Sequence, residues 1–177
     1  MQLVMDSGRI ASALADFAAH ILNDSLVKAA GPQSVAIVGI RNRGEVLAQR
    51  IAEAIKSHYG FSPDVGALDI TMYRDDLSGR KAITIPLGTE MNFQLDGRIV
   101  FLIDDVLQSG RTYRAALDAL VDFGRPRAIR AMTLIDRGGR EYPIAADHIG
   151  MKLDTPADSK VIVHLKPTDQ EDAVYVE

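Results

Sequence analysis

The stretch VFLIDDVLQSGRT, residues 100–112, passes from a buried strand through two carboxylates and a small-residue loop into a helix. Residues 99–103 form a continuous apolar run, and residues 111–123 (RTYRAALDALVDF) place Leu117, Leu120 and Val121 at helical spacing. Asp104 and Asp105 therefore stand where a strand ends. In an open parallel sheet, ligands bind beyond the carboxyl ends of strands, and a helix that starts there offers unpaired N–H groups to an anion. Gly110 lets the backbone approach an anion, and Ser109 and Thr112 add hydroxyl donors. The two aspartates suit the vicinal hydroxyls of a sugar, so the stretch points to a phosphorylated sugar. An acidic pair alone serves equally as a helix cap or a solvated turn. The apolar strand before it and Gln108-Ser109-Gly110-Arg111-Thr112 after it favour binding. The Gly-x-x-x-x-Gly-Lys-Ser/Thr spacing of a nucleoside triphosphate loop is absent.

A second strand, loop and helix precede this one. Residues 35–40 (VAIVGI) read as a buried parallel strand, Arg41-Asn42-Arg43-Gly44 follow, and residues 44–59 carry Leu47, Ile51 and Ile55 four apart. Two guanidinium forks at a strand end suit a diphosphate, with charge-assisted hydrogen bonds worth about 1.5–3 kcal/mol each, although a solvated turn would hold two arginines as well. Upstream, residues 6–22 predict an amphipathic helix through Ile10, Leu14, Phe17 and Ile21, and Gly31-Pro32 breaks the chain.

Downstream, residues 65–72 alternate, with Leu68, Ile70 and Met72 on one side, and predict a half-exposed strand ending at Tyr73-Arg74-Asp75-Asp76. Residues 77–97 are the least regular part. They read as a hairpin flap with β-like pieces at 83–87 and 91–95, and a long loop of this kind suits a site that must close against water. Arg74, Arg80 and Lys81 bring positive charge to it. Residues 128–135 (AIRAMTLI) give another strand, ending in Asp136-Arg137-Gly138-Gly139-Arg140, where a base pocket or a plain glycine turn would fit. Late strands are expected at 161–165 and 174–176 around an acidic turn at 168–172. His164 is given no chemical role.

The chain has 177 residues, 47% hydrophobic and 25% charged, which fits one domain over 1–177 with a substantial core. No apolar run approaches the roughly 20 residues that span a bilayer, and the opening MQLVMDSGR lacks the basic-then-apolar pattern of a secretion signal, so no membrane role and a cytoplasmic location are expected. Absence of cysteine removes disulfides and thiol catalysis, and four scattered histidines make a zinc site a poor fit. A formal charge of −4 argues against indiscriminate nucleic-acid binding.

The 104–112 motif resembles the signature of type I phosphoribosyltransferases, which bind 5-phosphoribosyl 1-diphosphate (PRPP). The set GIRNRG (39–44), DITMYRDDL (69–77), DDVLQSGRT (104–112), ALVDFGRP (119–126) and LIDRGGREYPI (134–144) further resembles the PyrR family, bacterial pyrimidine operon attenuators that are also uracil phosphoribosyltransferases. The resemblance implies an α/β fold of mostly parallel strands flanked by helices, with a flexible β-hairpin flap and a small hood. It implies Mg2+ carried by the diphosphate, no side chain acting as a metal ligand, and a homodimer or homotetramer.

Carried over by position, Asp104 and Asp105 would hold the ribose hydroxyls, and Val106, Leu107, Gln108, Ser109, Gly110, Arg111 and Thr112 would cradle the 5′-phosphate. Arg41, Asn42, Arg43 and Gly44 would meet the pyrophosphate, Arg74 would neutralise it as it leaves, and Asp136 and Arg137 would border uracil. Expected ligands are uracil, PRPP and UMP or UTP, with pyrimidine operon leader mRNA as a further partner through His20, Arg140 and Lys152; Arg125, Arg127 and Arg130 supply more basic groups. Departures from the family pattern are Gln108-Ser109 for an aromatic followed by threonine, Asn42 for threonine and Gly139 for histidine. Ala145 and Met151 stand where RNA-binding relatives are basic. Two alternatives accompany this reading: a nucleotide-sensing attenuator with little or no catalysis, and a transferase for another base without RNA binding.

Overall fold

The computed structural model describes residues 1–75 and 88–177. Its centre is a five-stranded parallel sheet in the order β3-β2-β4-β5-β6. The strands are β2 (Val35–Ile40), β3 (Asp64–Leu68), β4 (Ile99–Leu107), β5 (Ala128–Asp136) and β6 (His148–Lys152). All six residues of β2 and the first six of β4 are buried. Both strands are covered on two faces, which explains why their sequences run apolar without alternating.

On one face, Val35, Ile37, Ile99, Phe101 and Ile103 pack under α1 (Ser7–Asn23) and α3 (Arg43–Tyr59). On the other, Ala36, Val38, Ile40, Val100 and Leu102 meet α4 (Arg111–Leu120). Asp6 caps α1 by accepting the Arg9 amide, and Ile10, Leu14, Phe17 and Ile21 of α1 are buried as the spacing requires. Burial of each such side chain contributes about 1.5–3 kcal/mol. A short helix α2 (Ser25–Ala30) follows. A second, antiparallel sheet joins β1 (Gln2–Met5), β8 (Ala173–Val176) and β7 (Val161–His164), and its Val163 and Val174 extend the α1–α3 core.

The order of strands fixes where a ligand can enter. From β2 the chain crosses through α3 to β3 on one side, then returns to β4 on the other and continues outward to β5 and β6. Direction reverses between β2 and β4, so the loops that leave their carboxyl ends diverge and open a crevice.

Three expectations are corrected. The strand expected at 65–72 ends at Leu68, because Asp69 accepts the Thr71 amide, the Thr71 hydroxyl and the Gly88 amide and so turns the chain; Ile70 stays buried while Met72 is 81% exposed. On α4 the buried face is Tyr113, Ala115, Ala116, Ala119 and Leu120, whereas Leu117 and Val121 are exposed. Small alanines let the helix lie close on the sheet, and the spacing of large residues misplaced its inner face. Residues 91–95 form no strand: Glu90 alone bridges to Ala67. The other flap piece at 83–87, and Arg80 and Lys81, lie outside the described residues. Strands β1 and β6 and helix α2 carry no periodic signal strong enough to have been read.

Tyr113 donates its hydroxyl to the Met132 carbonyl at 2.6 Å in the buried interior, and burial pushes its pKa well up. Tyr113→Phe removes this hydrogen bond and is expected to cost about 1 kcal/mol in denaturant unfolding, with the midpoint shifted and the m-value unchanged.

Candidate functional site

The crevice between β2 and β4 is floored by close backbone packing. A Cβ on Gly44 would fall inside van der Waals contact of the Ile103 carbonyl oxygen, and one on Gly39 would meet the Gly44 backbone. Gly39 therefore lets α3 begin directly against β2, and Gly44 lets it begin directly against β4. The peptide bond between Arg41 and Asn42 is cis.

Asp104 and Asp105 close β4. Asp104 is 6% exposed; its Oδ1 accepts the Asp105 amide, and Asp105 Oδ1 accepts the Val106 amide. Burial, then the neighbouring Asp105 carboxylate, pushes Asp104 well above the usual carboxylate range, with Arg74 opposing. Burial also raises Asp105, while Asp104 and Arg43 pull it back. The pair is thus a concentrated acceptor, with Asp104 held out of water and Asp105 half-buried, a state that a sugar's hydroxyl donors would relieve.

Beyond the pair lies a cavity of about 290 Å³ lined by Arg74 and by Val106, Leu107, Gln108, Ser109, Gly110, Arg111 and Thr112. Arg74, far away in sequence, is thereby brought to the loop. Gly110 adopts φ +90° before the first turn of α4, a backbone that favours glycine, and Ser109 Oγ accepts the Arg111 amide. The loop's carbonyls are occupied from behind. Leu107 O accepts from Arg137 N at 3.1 Å, Gln108 O from Arg140 Nη1 at 2.9 Å, and Ser109 O from the amides of Glu141 and Tyr142 at 2.9 Å each.

Other predicted residues are placed less simply. Arg41 pairs with Glu45 and Glu90, and Arg43 forms a two-pronged contact with Asp169 at 3.0 and 3.2 Å, so both guanidiniums lie at the crevice but engage protein carboxylates. Asn42 is exposed. The Arg111 guanidinium reaches sideways to Asp75, Glu141 and the Tyr142 hydroxyl.

At the carboxyl end of β5, Asp136 accepts from the Gly138 amide and from Arg140 Nη2 at 2.6 Å. Burial opposes its ionisation, yet Arg140 and the Gly138 amide outweigh this and lower its pKa. Arg137 is 9% exposed and donates to the carbonyls of Ser159 and Pro156, which pins the loop before β7 over this end of the sheet. His20 stacks on His148 at 4.2 Å, and exposed Lys152 lies four residues further along β6, roughly 13 Å away at strand rise. His20 thus stands apart from Lys152, which pairs in register with Asp136, the residue that Arg140 holds, and Arg140 faces inward.

Sequence reasoning missed Glu141 and Tyr142 as supports of the anion loop and gave Asp169 and Asp172 no role, although Asp172 holds Arg50 with two hydrogen bonds of 3.0 and 2.8 Å. The acidic turn was visible; its partners, more than 100 residues away, were not. Among the described residues no cluster of three or more His, Cys, Asp or Glu side chains is suited to a metal ion, and no helix is long and apolar enough to cross a membrane.

Residues 4–169 match the phosphoribosyl transferase domain family. A Leifsonia xyli protein named Bifunctional protein PyrR is 46% identical over 99% of this chain and 96% of its own length, and a Roseiflexus protein of the same name is 47% identical over 85% and 82%. Among solved structures, hypoxanthine phosphoribosyltransferase of Trypanosoma cruzi superposes with a TM-score of 0.73 over 99% of this chain and 95% of its own, at 16% identity, a likeness of fold. The acid pair at the end of β4, the anion loop beside it and these matches along almost the whole length agree: the chain belongs to the PyrR family of phosphoribosyltransferases.

Proposed function

We propose that this chain transfers the 5-phosphoribosyl group of PRPP to uracil, giving UMP and pyrophosphate, as one domain over residues 1–177 in the cytoplasm. The observation that carries the reading is the buried Asp104 and its neighbour Asp105 at the end of β4, followed directly by the cavity of Arg74 and residues 106–112, which together offer hydroxyl acceptors and an anion seat. The 5′-phosphate would lie on Gln108, Ser109, Gly110 and Thr112, and the ribose hydroxyls on Asp104 and Asp105. Arg74 would face the pyrophosphate, with Arg41, Asn42, Arg43 and Gly44 around it. Asp136 and Arg137 would border uracil. Held in this way, the base nitrogen attacks the anomeric carbon as pyrophosphate leaves, and positioning with charge stabilisation supplies most of the rate.

Magnesium fits this donor set. It prefers oxygen ligands, retains waters and binds largely through substrate phosphates, and the carboxylates nearest the sugar are Asp104 and Asp105. When bound it would neutralise charge on the diphosphate. Regulation of pyrimidine genes through leader mRNA, sensed with UMP or UTP, is part of the same proposal, supported by relatives named Bifunctional protein PyrR, and the proposal includes assembly as a dimer or tetramer.

Pyrophosphate release with PRPP, magnesium and each nucleobase in turn tests the reaction. Release with uracil alone supports it; release with a purine alone makes the chain a transferase for another base, and silence with every base leaves a nucleotide sensor. For the RNA part, the cognate leader transcript and an unrelated hairpin are compared over a salt series. Equal affinity for both would reduce RNA binding to bulk electrostatics.

A further inference from the structure

We infer that Arg140 is a positioning residue for the phosphate-binding loop, and not a group displayed toward RNA; the inference rests on the phosphoribosyl transfer proposed above. Within one peptide unit the C=O and the following N–H point in opposite directions, so fixing the carbonyl fixes the amide. Three successive carbonyls, of Leu107, Gln108 and Ser109, are tied to residues 137–142. The amides of Gln108, Ser109 and Gly110 are then directed to the other side, that of the cavity they line.

Two of the three carbonyls are held by backbone amides, which any sequence with this chain path would supply. The middle one, Gln108 O, is held by a side chain, Arg140 Nη1 at 2.9 Å. The same guanidinium donates through Nε to Ile144 O at 2.8 Å and through Nη2 to Asp136 at 2.6 Å. Three acceptors on three segments fix the plane of the guanidinium, so the Gln108–Ser109 peptide turns over only if that network breaks. If it turned over, a carbonyl oxygen would face the phosphate in place of an amide. A lysine ammonium lacks the planar fork needed to span all three acceptors. The group thereby also links the Asp136 end of β5, on the base side, to the phosphate side.

The test uses Arg140→Lys and Arg140→Met in the full chain, with PRPP and magnesium titrated calorimetrically in the absence of base and steady-state constants measured for both substrates. Each variant is expected to bind PRPP roughly tenfold more weakly, the equivalent of one lost charge-assisted hydrogen bond, with KM for PRPP raised more than kcat is lowered. Tm is read in parallel, and Arg140→Lys, which keeps the charge, carries the result if Arg140→Met does not fold. A purely structural role would lower Tm without that selective loss of PRPP affinity. Unchanged PRPP affinity in Arg140→Lys, with or without weaker binding of the leader transcript, would overturn the inference. A wild-type chain that neither binds PRPP nor turns over any base would instead sink the functional reading itself.

Discussion

Replacing Asp104 and Asp105 together by asparagine is expected to lower uracil turnover by about 10²–10³-fold while leaving Tm equal or higher. The two effects have one cause. Asp104 is buried against the half-buried Asp105, and both carboxyls are raised above the ordinary aspartate value, with burial the leading reason. A carboxyl raised in the folded state contributes stability below its unfolded value, and that contribution is lost as pH rises through the raised folded value. Once ionised, the pair therefore strains the fold, and asparagine removes the charge while keeping an oxygen for the Asp105 and Val106 amides. The double variant should gain about 1 kcal/mol at pH 8 and little at pH 4 in chemical denaturation. Activity runs the other way: ribose hydroxyls need ionised acceptors, so wild-type kcat/KM for PRPP should decline on the acid side at a pH above the ordinary aspartate range. A double variant with unimpaired turnover would show that the sugar binds elsewhere.

Gly44→Ala should unfold the crevice itself. The added methyl would enter the space of the Ile103 carbonyl oxygen, and this oxygen belongs to the strand that carries Asp104. Neither side yields easily, because Ile103 is fully buried in the central strand and Gly44 lies in the first turn of a 17-residue helix. The expected cost is about 3 kcal/mol, which for a chain of this size lowers Tm by roughly 6–12 °C. PRPP affinity should fall with it, since separating α3 from β4 widens the interval between the arginine loop and the acid pair. Gly60→Ala is a useful contrast: a Cβ there meets nothing within 4 Å, so only its φ of +67° resists the change, and a smaller loss of about 1 kcal/mol with intact PRPP binding is expected. Equal effects at both glycines would mean that helix capping, and not close approach, governs Gly44.

The local parts of the site were legible because each is written in contiguous residues. Apolar runs without alternation marked β2 and β4 as buried strands, and the Asp-Asp followed by Gln-Ser-Gly-Arg-Thr marked the end of one strand and the start of a helix. Where the alphabet of large apolar side chains was a poor guide, the reading slipped. The inner face of α4 is built mostly from alanines, and the turn at Asp69 is made by a carboxylate that accepts three donors, one of them from Gly88.

By itself, the sequence determined a parallel α/β sheet, the two strand-end loops and the identity of the acid pair, since strand length, apolar continuity and glycine placement act over a few residues. Only the tertiary structure decided what those groups do to one another. The reversal of strand order between β2 and β4 brought the loops together, and the crossing of residues 137–142 behind residues 107–109 set the direction of the loop's amides. It also turned Arg43 to Asp169 and Arg140 inward to Asp136, Gln108 and Ile144. A guanidinium is long and satisfies whichever acceptors surround it, so its partner is fixed by three-dimensional proximity and cannot be read from its neighbours in the chain.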